Sequence, residues 1–106
     1  MKNLTATELH DYLQQAEPRP VLLDVREPWE HEKCQIEGST LLPMSRIAAA
    51  LNELDPEQET VVICHHGVRS YRVAQWLEQM GFRNIINLYG GINAWAQQVD
   101  PSMTRY

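Results

Sequence analysis

Cysteine is scarce in this sequence: two residues, Cys34 and Cys64, in 106. They form no C-x-x-C pair. In a reducing compartment no structural disulfide is expected, so at least one thiol calls for another explanation, packing or chemistry. Positive charge is also in short supply. Lys and Arg number 9 against 14 Asp and Glu, for a formal charge of −5 at pH 7. The arginines are scattered and no basic run exists, which argues against general nucleic-acid binding through clustered phosphate contacts. No apolar run approaches the length needed to cross a bilayer. The segment Met1–His10 carries one Lys but neither an apolar h-region nor a small-residue cleavage site. These absences predict a cytoplasmic protein with no membrane or nucleic-acid partner. Internal repeats, low-complexity stretches and long linkers are missing too.

What is present is ordinary globular composition, 43% apolar and 22% charged. A chain of 106 residues suffices for one compact domain and is short for two. The expectation is a single domain over residues 1–106, with a core from about residue 4 to 97 and a loose tail over 100–106. Short apolar runs alternate with helical patterns, which predicts an α/β fold with a small, mainly parallel sheet. Thr5 and Glu8 are spaced as a capping box, with Leu4 and Leu9 placed as its hydrophobic staple. Leu9, Tyr12, Leu13 and Ala16 continue at helical spacing. Val21–Val25 reads as a buried strand, Arg26–Gln35 as a polar loop with a helical turn, and Thr40–Leu42 as a second strand. Ser45 is placed to cap a helix whose apolar face is Ile47, Leu51 and Leu54. Thr60–Ile63 is a β-branched strand that runs directly into Cys64. Val73, Ala74, Trp76, Leu77 and Met80 share one face of the next helix. Gly81 and Phe82 fit a Schellman ending in which Phe82 packs on Leu77. Asn84–Leu88 is the last strand, and Gly90–Gly91 turns the chain into a short helix carrying Ile92 and Trp95.

The chemistry concentrates in Cys64, His65, His66, Gly67, Val68, Arg69 and Ser70. Cys64 closes a strand, and in open α/β sheets ligands bind at the carboxyl ends of strands. The loop leads into a helix N-terminus, where free N–H groups and the helix dipole favour negative charge. Gly67 lets the backbone curl so that amides point inward as an anion nest. Arg69 adds positive charge at the rim, as does either histidine when protonated. All of these favour a thiolate at Cys64. The plainer reading, a packed strand-end cysteine, is disfavoured by the neighbouring Gly and Arg. Adjacent histidines orient poorly on one tetrahedral ion, so no metal is expected. His10 and His31 are read as surface or helix residues. Asp24 and Arg26 are read as a buried hydrogen-bonded pair, with bracing of the Cys64 loop as a further role. Glu27, Glu30 and Glu32 are read as a solvated acidic face.

Residues 60–95, TVVICHHGVRSYRVAQWLEQMGFRNIINLYGGINAW, resemble the active-site half of the rhodanese family. LLDVREPWEHE, residues 22–32, resembles that family's other signature. The resemblance implies a central parallel sheet flanked by helices on both faces. It implies that Cys64 forms the persulfide and that His65 to Arg69 form the loop around it. The implied reaction moves sulfane sulfur from a small anionic donor such as thiosulfate to a thiophilic acceptor, cyanide, a thiol or a protein. No metal or organic cofactor is implied. One departure stands out: Cys34-Gln35-Ile36-Glu37-Gly38-Ser39 replaces the family's Gly-His-Ile-x-Gly-Ala. Cys34 is read as a plain loop substitution, with a resolving thiol that takes sulfur from Cys64 as the alternative. His65-His66 also stands where thiosulfate-adapted members carry Arg-Lys residues, so thiosulfate is a convenient donor and not necessarily the natural one.

Two rivals remain. A cysteine phosphatase or arsenate reductase on the same fold uses a Cys-x5-Arg loop; Cys64 and Arg69 enclose four residues, a cradle better sized for one sulfur atom than for an oxyanion. A non-catalytic interaction module would typically lack the cysteine that is present here.

Overall fold

The computed structural model describes all 106 residues. Five parallel strands form one sheet: β1 (Lys2–Leu4), β2 (Val21–Asp24), β3 (Ser39–Leu41), β4 (Thr60–Ile63) and β5 (Ile85–Leu88). Their order across the sheet is β1-β5-β4-β2-β3. Three helices lie between strands, α1 (Ala6–Gln15), α2 (Pro28–Lys33) and α3 (Val68–Gln79), and a fourth, α4 (Gly91–Gln98), follows β5.

The two faces of the sheet bury different side chains, as the two-residue period of a strand requires. Leu22, Val61, Ile63, Ile86 and Leu88 face one way and pack with Ala6 and Leu9 of α1 and Ile92 and Trp95 of α4. Leu23, Val62 and Ile85 face the other way and pack with Val73, Ala74 and Leu77 of α3. Burial on both faces is why β2 and β4 read as unbroken apolar runs. Thr5 and Glu8 make the expected capping box, Glu8 N–H to Thr5 Oγ1 at 3.2 Å and Thr5 N–H to Glu8 Oε1 at 2.9 Å. At the end of α3 the amides of Gly81 and Phe82 donate to the carbonyls of Glu78 and Leu77, the Schellman pattern, and Phe82 is buried.

Three elements differ from the sequence reading. β1 was not expected; with one half-buried residue, Leu4, in three, it carries no apolar alternation, and its pairing with β5 defines it. The segment after Pro43 is two single 3-10 turns, Met44–Arg46 and Leu51–Glu53, not a continuous α-helix. Ser45 makes no cap, and a tighter turn still puts Ile47, Leu51 and Leu54 against the core. Met80, placed by spacing on the apolar face of α3, is exposed at the helix end. No helix is long and apolar enough to cross a membrane.

The topology locates the site. From β2 the chain moves outward to β3, whereas from β4 it moves the opposite way to β5. The crevice between the carboxyl ends of β2 and β4 is therefore the switch point at which open α/β sheets bind ligands. Asp24, Val25 and Arg26 leave β2 there, and Cys64 leaves β4.

Candidate active site

Cys64 sits at the bottom of the loop it begins. Its Sγ accepts the Gly67 N–H at 3.1 Å and the Ser70 N–H at 3.3 Å. Both amides belong to the start of α3, where backbone donors have no intrahelical partner. Gly67 caps the helix at φ +92°, a conformation that turns its amide inward and that other residues rarely adopt. Cys64 itself exposes only 1% of its surface.

The loop is pinned from behind by α4. Ile92 N–H donates to the Cys64 carbonyl at 2.9 Å and Asn93 N–H to the His65 carbonyl at 3.0 Å. This contact explains Gly91: a Cβ there would overlap the backbone of Cys64 and His65. The G-G-I segment thus holds the Cys64 loop as well as starting a helix.

On the β2 side, Asp24 and Arg26 form a fully buried pair. Arg26 Nε and Nη2 donate to the Asp24 carboxylate at 2.9 and 2.7 Å. The remaining Arg26 donors reach the carbonyls of Glu30 and Cys34 and the Tyr106 hydroxyl. Burial pushes the guanidinium down, but the bonds to Asp24 and Tyr106 outweigh it and the group stays charged.

Glu30 is not part of a solvated face. It is 4% exposed and takes both terminal nitrogens of Arg69, at 2.7 and 2.8 Å. That pair of bonds holds the Glu30 carboxyl down at about 2, against the upward push of burial. Glu27 and Glu32 are exposed, as expected. Arg69 accordingly differs from the sequence reading: its charge is directed at Glu30, and the hydrogen bonds to sulfur come from backbone amides. The bond to Glu30 raises the Arg69 pKa.

The tail is also not loose at its end. The Tyr106 hydroxyl accepts from Arg26 Nη1 at 2.8 Å and donates to Glu30 Oε2 at 2.9 Å. Its ring stacks on His65, with centroids 3.9 Å apart and planes 13° from parallel, and Trp29 meets it edge-on. Burial pushes the phenol up to about 12. His65 lies between Tyr106 and His66, whose ring centroid is 4.0 Å away. Burial, and then the neighbouring His66, lower the His65 pKa. Val68 projects outward, 61% exposed, and lends the loop only its backbone.

Ser70 is fully buried and links Cys64 to Asn87 on β5: Sγ lies 3.3 Å from Ser70 Oγ, which donates to Asn87 Oδ1 at 2.6 Å. Sequence reasoning overlooked Asn87, although a lone amide in Ile85-Ile86-Asn87-Leu88 was a usable signal. Cys34 is buried in the core on the sheet face opposite that of Cys64, and both thiols are free. Its place is that of a packed substitution. No three or more His, Cys, Asp or Glu side chains converge to hold a metal ion.

The family model described as Rhodanese-like domain matches residues 5–98. The chain is 36% identical to a chloroplastic Rhodanese-like/PpiC domain-containing protein of Arabidopsis thaliana over 100% of this chain and 38% of that protein. It is also 36% identical to a sulfurtransferase of Allochromatium vinosum, over 76% of both chains. The crystal structure of a rhodanese-like domain protein from Staphylococcus aureus superposes with a TM-score of 0.82 at 34% identity, covering 90% of this chain and 91% of that one. The chain spans between 26% and 38% of the length of several curated relatives it matches.

Proposed function

Because the chain belongs to the rhodanese-like domain family, we propose that it is a sulfurtransferase that carries sulfane sulfur as a persulfide on Cys64. The observation that carries this reading is the pair of amides, Gly67 and Ser70, that donate to Sγ at 3.1 and 3.3 Å. Hydrogen bonds of this kind to an ionised acceptor contribute roughly 1.5–3 kcal/mol each. They suit a sulfur that must carry negative charge as nucleophile and as leaving group.

In the first half-reaction the Cys64 thiolate attacks the outer sulfur of a small anionic donor such as thiosulfate. A sulfur–sulfur bond forms to Sγ, the donor's own sulfur–sulfur bond breaks, and sulfite departs with the electron pair. In the second, a thiolate, cyanide or protein thiol attacks the outer sulfur, and Cys64 leaves as thiolate. Asp24 and Arg26 brace the β2 side of the crevice, and His65, His66, Val68 and Arg69 frame the loop. Because Cys64 is almost sealed, a donor has to present its sulfur end-on. The four-residue loop favours one sulfur over a tetrahedral oxyanion. Free thiols suit a reducing compartment, the cytoplasm in this reading. Residues 1–106 act here as one domain.

Two half-reactions on one covalent carrier give ping-pong kinetics. Parallel double-reciprocal lines for thiosulfate against cyanide are expected. Intersecting lines would show that both substrates bind before sulfur moves, contrary to this reading.

A further inference from the structure

A buried chain of hydrogen bonds runs behind the sulfur, and the amide cradle does not account for it. It passes from Cys64 Sγ to Ser70 Oγ at 3.3 Å, to Asn87 Oδ1 at 2.6 Å, and from Asn87 Nδ2 to Asn3 Oδ1 at 3.0 Å. Ser70 and Asn87 are 0% and 2% exposed, while Asn3 opens to solvent on β1.

The direction of each bond follows from what each atom is able to do. Asn87 Nδ2 faces the Gly67 backbone carbonyl, at the outer limit of 3.5 Å, as well as Asn3 Oδ1. A carbonyl oxygen only accepts, so the amide is oriented with Oδ1 toward Ser70. The one hydroxyl proton of Ser70 is therefore given to Asn87. Ser70 Oγ turns a lone pair toward sulfur and receives the S–H of the resting thiol. When the thiol loses its proton, sulfur faces that lone pair. Turning the hydroxyl back to sulfur strands the buried Asn87 carbonyl without a donor, which is costly.

We propose that Asn87, oriented by Asn3, is a positioning residue that points the Ser70 hydroxyl away from Cys64 and so opposes formation of the bare thiolate. The two amides favour the anion; the Ser70–Asn87 relay favours the thiol. On the persulfide reading above, the negative charge moves one bond outward to the terminal sulfur. The relay then no longer opposes it, and the sulfur-loaded state is favoured over the empty thiolate.

The test reads the thiol itself and stands whether or not sulfur transfer is the activity. Alkylation of Cys64 by iodoacetamide is followed across pH by mass spectrometry of its peptide, in the native chain, Asn87→Leu, Asn3→Ala, Ser70→Ala and the Ser70→Ala/Asn87→Leu double variant. In Asn87→Leu the hydroxyl is free to donate to sulfur. The midpoint of the pH–rate profile is expected to fall by about one unit, roughly a tenfold change in the ionisation equilibrium. Asn3→Ala is expected to shift it the same way by less, and Asn87→Leu to have no effect once Ser70 is Ala. A folded Asn87→Leu whose midpoint stays or rises overturns the proposal, as does an equal fall without Ser70. Should Asn87→Leu fail to fold, the surface variant Asn3→Ala decides: a lower midpoint supports the relay, and an unchanged one overturns it.

Discussion

Arg69 and Glu30 meet in a two-pronged ion pair, Nη1 to Oε1 at 2.7 Å and Nη2 to Oε2 at 2.8 Å. The cation expected at the rim of the sulfur site is thereby largely neutralised. A dianionic donor gains less from Arg69 than the loop sequence alone implies. Glu30→Gln removes the compensating charge and is expected to raise kcat/KM for thiosulfate by roughly threefold to tenfold, with a smaller change for a neutral polysulfide donor. Steady-state kinetics with both donors check this. An equal loss for both would mark Glu30 as a brace for the loop and nothing more.

The same pair predicts an acid limit. The Glu30 carboxyl is held at about 2, below its ordinary 4.5. Its contribution to stability is thus present above pH 4.5 and lost as pH falls through about 2. Urea midpoints measured between these values should decline less steeply in Glu30→Gln than in the native chain. Identical slopes would mean the carboxyl titrates alike in folded and unfolded chains.

Tyr106 ties residues 80 and 76 positions away, Arg26 and Glu30, to the chain end. Tyr106→Phe keeps the ring on His65 and removes the hydroxyl. A loss of about 1–2 kcal/mol is expected from urea denaturation, since both partners are charged. The phenol is raised to about 12, so the native contribution is complete below pH 10 and disappears as pH rises through about 12. Ultraviolet titration should show one late tyrosine fewer in the variant.

Gly91 has φ +61° and no room for a Cβ against the backbone of Cys64 and His65. Gly91→Ala is expected to cost about 2–4 kcal/mol and to displace the loop, since strain and overlap with backbone add. Thermal denaturation measures the first effect and Cys64 alkylation the second. A variant with native stability and reactivity would show that α4 does not hold the loop.

Much of this architecture was legible in the sequence because its signals are local. The Thr5–Glu8 box, the β-branched run into Cys64, and the Gly81–Phe82 ending each lie within a few residues. The Cys64–Ser70 loop was legible for the same reason. What escaped was set by distant contacts. Glu30 and Arg69 are 39 residues apart, and nothing near Glu30 distinguishes it from Glu27 or Glu32. Tyr106 ends a polar segment with no periodicity, and only the fold brings it to Arg26. The helix expected after Ser45 failed because Ile47, Leu51 and Leu54 reach the core from 3-10 turns just as well.

The central claim is that Cys64 carries the sulfur, and intact-protein mass spectrometry after incubation with thiosulfate tests it most directly. The account predicts a gain of one sulfur atom that cyanide removes and that Cys64→Ser abolishes. A gain of the same size in Cys64→Ser would place the sulfur elsewhere and contradict the account.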